Sequence, residues 1–146
     1  MFSHVMVGAN NIEESKVFYD NLLGVLGAQP GTLMPDPLTG MKRYFYFLDN
    51  TIEQTDIESF AVLEPAFCIS EPIDGNPATS GNGSTIGFNV KDIDQGNAWH
   101  QAGVESGGIS IEDPPGIREY DGVKMFLAYL RDPSGNKLCG LLRIES

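Results

Sequence analysis

Few residues of this chain are equipped for chemistry beyond packing. Its histidines are His4 and His100, and its cysteines are Cys68 and Cys139. The cysteines form no CxxC pair and are too few for a disulfide framework, so reduced thiols are the default. His100 sits beside Trp99 on an amphipathic stretch and reads as a helix-surface residue rather than a base. Cationic and aromatic groups gather in two places. One is Arg43, Tyr44 and Tyr46, together with Tyr129, whose side chains either line a cavity or pack in its wall. The other is the loop from Asp113 to Gly122, where two prolines stiffen the chain, Arg118 offers a planar fork of donors and Tyr120 offers an aromatic platform. A ligand-binding loop competes here with a structural one in which Arg118 pairs with Glu119 or Asp121. No residue is assigned a catalytic role.

These residues must be positioned by strands and helices that the sequence marks well. The segment Phe126–Arg143 contains two apolar strands around Asp132-Pro133-Ser134-Gly135-Asn136, in which Asp caps its own backbone, Pro presets φ, and Gly with Asn supply positive φ for a hairpin. Phe2–Gly8 reads as a strand. Asn11 caps the helix that follows, with Glu14 completing a capping box, and Val17, Phe18, Leu22 and Leu26 recur at helical spacing until Gly24 and Gly27. Pro30–Met41 reads as loop, Arg43–Asp49 as strand, Thr51–Ser59 as a polar acidic stretch, and Phe60–Leu63 and Pro65–Ser70 as short strands. Residues 71–83 are rich in Pro, Gly, Asn, Ser and Thr and read as a linker.

The pattern then starts again. Ser84–Val90 is a strand, Asp92 with Gln95 a capping box, and Ile93, Trp99 and Ala102 an apolar stripe ending at Gly103. At an offset of 81, His4 falls on Thr85 and Asn11 on Asp92; at an offset of 71, Cys68 falls on Cys139. The expected organisation is one domain over 1–146, built from a βαβββ module (1–70), the linker (71–83) and a second module (84–146). Strand alternation places Val5, Phe67, Ile69, Phe88 and Leu138 on a helix-covered face. The opposite face holds His4, Met6, Cys68, Thr85, Gly87 and Cys139 and suits a concave binding surface.

Paired βαβββ modules, a histidine in the first strand and the closing Arg131–Leu138 hairpin resemble the vicinal oxygen chelate superfamily of glyoxalase I, bleomycin and fosfomycin resistance proteins and extradiol dioxygenases. The resemblance implies an α+β fold, a curved mixed sheet forming a cup with helices on its convex side, often completed in a homodimer. Metal-dependent members carry ligands on the first and last strands of each module, commonly His and Glu. Those positions here are His4, Cys68 or a neighbour, Thr85 and Cys139, and only His4 keeps the usual type. The resemblance thus implies a degenerate site: a divalent metal such as zinc held by His4 and Cys139, or, as these residues favour, no metal and a buried neutral His4 beside two inert buried thiols. A disulfide between the cysteines is a third arrangement. The loop with Arg118 and Tyr120, together with Thr85 and Arg43, is expected to contact a small molecule.

Composition narrows the function classes. A formal charge of -11 disfavours nucleic acid, and no apolar run approaches the length of a membrane span. A cytoplasmic homodimer with a small-molecule ligand is expected. It is either a metal-assisted lyase-, isomerase- or dioxygenase-like enzyme, or a metal-free binding protein sequestering a guest, for which the acidic field suggests a cation.

Overall fold

The computed structural model describes residues 1–47 and 66–145. Each half of the chain begins with a strand that feeds a capped helix. β1 (His4–Gly8) leads to α1 (Ile12–Gly24), where the Asn11 side chain accepts the Glu14 N–H at 3.1 Å. β5 (Ile86–Asn89) leads to α2 (Ile93–Glu105), where Asp92 accepts the Gln95 N–H at 2.7 Å and Gln95 reaches back to the Lys91 N–H at 2.8 Å. Such caps satisfy donors that the first helical turn leaves without partners, at about 1 kcal/mol each. The other strands are β2 (Thr32–Leu33), β3 (Arg43–Phe47), β4 (Ala66–Ser70), β6 (Ile109–Ser110), β7 (Gly116–Tyr120), β8 (Val123–Arg131) and β9 (Lys137–Ile144).

The architecture is α+β, with two mixed sheets of the same order. The first runs β1-β4-β3-β2; the second runs β5-β9-β8, with β6 and β7 both paired to β8. In each, the opening strand lies parallel to the closing strand, whose other neighbour is antiparallel. Met6 lies opposite Cys68 and Gly87 opposite Cys139, the pairs that offsets of 81 and 71 bring into correspondence.

One core joins the helix-facing sides of both sheets. It includes Tyr19, Leu22, Phe67, Phe88, Trp99 and Leu138, and Phe67 meets Phe88 with ring centroids 5.5 Å apart. Each such side chain gains roughly 1.5–3 kcal/mol from burial. α2 approaches its sheet closely because Gly96, Gly103 and Gly140 lack side chains: a Cβ at Gly96 would lie 2.2 Å from Phe126, and one at Gly140 2.9 Å from Trp99. The closing hairpin locks the halves together. Asp132 is buried, and its carboxylate accepts the Tyr19 O–H at 2.6 Å, while Asn136 Nδ2 donates to the Gly8 carbonyl at 3.0 Å and Ser134 Oγ accepts the Asn10 N–H at 2.9 Å.

Several expectations change. Asp113–Gly122 is not all loop: Gly116–Tyr120 is strand β7, because Asp121 (φ 49°) and Gly122 (φ 79°) supply the two positive-φ positions of a tight turn into β8. Pro30–Met41 contains β2. The opening strands begin at His4 and Ile86, which leaves Thr85 exposed ahead of β5. Val17 and Ile93 are exposed; Ile12, Tyr19 and Leu23 complete the buried side of α1, while α2 buries Trp99 between glycines. The disulfide falls away, since both cysteines are free and stand in different sheets. The expected strand at Phe60–Leu63, the polar stretch Thr51–Ser59 and the end of Arg43–Asp49 lie outside the described residues.

Candidate functional site

Because strand side chains alternate, residues that do not enter the shared core point to the opposite face of each sheet. On the first sheet that face carries an apolar cluster separate from the main core: Phe45, Phe47, Ala66 and Cys68, with Met34 against them. On the second sheet it is built in cross-strand rows. Gly87, Cys139 and Tyr129 form one row, Asn89, Leu141 and Leu127 the next, and Arg143, Met125 and Arg118 a third. Since the helix-facing sides meet in one core, these two faces point away from one another.

The residues expected to hold a metal are not gathered into a centre. Among the described residues, no three of His, Cys, Asp and Glu lie together in a metal-binding group. His4 is exposed rather than buried as expected, because it opens β1 at the strand's amino-terminal end, and its Nδ1 shares a hydrogen bond with Ser3 Oγ at 2.9 Å. Thr85 lies outside the strand. Burial pushes the Cys68 thiol up to about 12 and raises that of Cys139, which donates to the Gly140 carbonyl at 3.7 Å. Metals bind thiolates, and both sites favour the neutral thiol. This donor set does not fit a catalytic divalent ion within one chain.

The four residues expected at a ligand are dispersed. Arg43 lies on the outer face of the first sheet, over the Phe45 ring at 5.4 Å, and donates to the carbonyls of Met34 and Pro35 at 3.0 and 3.4 Å. Asp36 stands 3.8 Å from it. Arg118 donates to the carbonyls of Gly116, Leu127 and Asp113 at 2.9, 2.7 and 3.0 Å, not to Glu119 or Asp121. Its guanidinium is thereby fixed, yet no carboxylate neutralises it among the described residues. Tyr120 is exposed on the same face, one alternate position further along β7. Tyr44 and Tyr46 point the other way, beneath α1, where their hydroxyls donate to Glu13 at 2.8 Å and Asp20 at 2.9 Å. His100 is half-buried and shares a bond with Ser110 Oγ at 2.9 Å; burial lowers its pKa.

Two features escaped sequence reasoning. The row that sets Arg118 and Arg143 on either side of Met125 depends on strand register, which becomes visible only once the Asp121-Gly122 turn fixes β7 against β8. A cleft of about 640 Å³ also opens between the edges of β1 and β5, over Leu23, Leu26, Phe67 and Phe88, where no local motif marks it. No helix among the described residues is long and apolar enough to cross a membrane.

The paired strand order, the parallel contact of first and last strands and the outward faces have a counterpart among known families. The model of the Glyoxalase/Bleomycin resistance protein/Dioxygenase superfamily matches residues 1–139. The chain belongs to this superfamily. Over 97% of this chain and 98% of the other, it is 47% identical to a glyoxalase/bleomycin resistance protein from Albidiferax ferrireducens T118, with a TM-score of 0.76 between the structures. A glyoxalase/bleomycin resistance protein/dioxygenase family enzyme from Burkholderia phytofirmans PsJN is 15% identical over 95% of each chain, with a TM-score of 0.60, and shares the superfamily fold. The corresponding domain from Frankia sp. EAN1pec, 12% identical over 99% of this chain and 98% of that one, has a TM-score of 0.64 and shows the same fold. No curated protein matches the chain.

Proposed function

We propose that the protein is a metal-independent small-molecule binder of the superfamily, and that two copies pair so that the first-sheet face of one closes on the second-sheet face of the other to make the cup. The observation that carries this reading is the separate apolar cluster of Met34, Phe45, Phe47, Ala66 and Cys68 on a face turned away from the chain's own second sheet. These side chains are buried within the chain itself, Phe45 at 7% and Phe47 at 4% exposure, so the apolar layer continues on the outer side of the sheet, as the wall of a cup requires. The donor arrangement supports binding over metal-dependent turnover, since among the described residues no three of His, Cys, Asp and Glu come together, and Cys68 and Cys139 stand in different sheets.

Light scattering on the purified chain, with metal content measured on the same sample, tests the reading. A dimer with no stoichiometric metal is expected. A monomer throughout the micromolar range, or one metal per chain lost in His4→Ala, would overturn it.

A further inference from the structure

Charge on the outer faces does not follow the charge of the chain. Of nine Lys and Arg residues, five occupy outward strand positions: Arg43, Arg118, Arg131, Lys137 and Arg143. No Asp or Glu occupies such a position among the described residues, although the chain carries twenty. Two of the five have carboxylate partners, Arg43 near Asp36 and Lys137 bonded to Glu112 at 2.7 Å. The other three, all on the second sheet, have none among the described residues. Arg118 and Arg143 both lie opposite Met125, on the strands that flank β8. Neighbouring strands are about 4.8 Å apart, so the two arginines rise from backbones about 10 Å apart, with one thioether between them.

We infer that the Arg118–Met125–Arg143 row is an anion subsite, and that the guest of the cup is an amphipathic carboxylate or a similar oxyanion whose apolar body lies along Leu141. The inference rests on the proposed cup. Three backbone carbonyls already fix the Arg118 guanidinium, yet they use only three of its five N–H groups and none of its charge. A planar fork held in this way loses little freedom when it pairs with a carboxylate. Arg143 is exposed and supplies a second, mobile charge. The next row, Leu127 and Leu141, is apolar, so an anion held by the arginines would place an attached hydrocarbon over Leu141.

The probes are octanoate, octyltrimethylammonium and octanol, followed by NMR of the methionine methyl groups. Met125 reports the arginine row, while Met6 and Met34 report the first sheet. Octanoate is expected to move Met125 saturably and to bind more tightly than the other two. Arg143→Gln should weaken octanoate about fivefold, as for one exposed charge pair, and Arg143→Glu should weaken it further. Lys124→Gln, which removes a charge from the opposite face of β8, should leave binding unchanged. If octyltrimethylammonium or octanol moves Met125 as tightly as octanoate, or if Lys124→Gln costs as much as Arg143→Gln, the anion assignment is wrong and the cup survives. If no probe moves Met125, Met6 or Met34, the cup falls and the subsite with it.

Discussion

The contact between Tyr19 and Asp132 should carry more stability than any other single polar pair between the two halves. Both residues are buried, the Tyr19 O–H donates to Asp132 Oδ2 at 2.6 Å, and burial with the adjacent carboxylate pushes the phenol pKa well up, so the donor stays protonated. Asn136 Nδ2 donates to the same Oδ2 at 2.8 Å, and the N–H groups of Ser134 and Asn136 donate to Oδ1 at 2.9 Å each. A hydrogen bond to a charged acceptor contributes about 1.5–3 kcal/mol. Tyr19→Phe should therefore cost about 2 kcal/mol. Asp132→Asn should cost about 2–3, because its amide keeps the Oδ1 contacts but meets the Asn136 amide donor to donor. Near this chain length, 1 kcal/mol moves Tm by about 4 °C, so each single variant should melt several degrees lower. Urea unfolding of both single variants and the double variant gives the coupling, expected near 1.5 kcal/mol. Additivity within about 0.5 kcal/mol would show that the two groups act independently and that the hairpin is held by its apolar contacts alone.

Gly140→Ala should destabilise by about 1–3 kcal/mol, since the new methyl group would lie 2.9 Å from the fully buried Trp99 ring; a urea midpoint equal to wild type would mean that the indole can shift. The Cys68 thiol, pushed by burial from 9.0 up to about 12, stays neutral in the fold after it would ionise in the unfolded chain. Its contribution is complete below about pH 9 and is lost as pH rises towards 12. Urea midpoints measured from pH 8 to 11 should therefore fall more steeply for wild type than for Cys68→Ala, and equal slopes would contradict the burial argument.

Local chemistry made much of the fold legible. Asn11 and Asp92 mark helix starts because a short polar side chain can take the orphan N–H groups of a first turn, and both do so. The equivalence of Cys68 and Cys139 was readable because strand order and register repeat. What sequence reasoning missed involves long-range placement. The Asp121-Gly122 turn was present as a dipeptide, yet the prolines before it made β7 look like loop. Asp132 looked self-sufficient as a turn cap, whereas its second oxygen is taken by Tyr19 from the other half of the chain.

Charge gives the sharpest case of this limit. A total of -11 describes the field that a distant ion meets, and that field favours cations. A bound guest responds to charges within roughly a Debye length, about 8–10 Å in ordinary salt. Strand alternation decides which charges those are. On β7, Glu119 faces away from the outer surface while Arg118 and Tyr120 face it, and on β8 Lys124 turns away while Met125 turns outward. A one-residue slip in the pairing of β7 would exchange Arg118 for Glu119 and cancel the positive charge of the Arg118–Met125–Arg143 row without altering composition. The chain is thus acidic as a whole and basic on the second-sheet face, and the guest must be argued from that face.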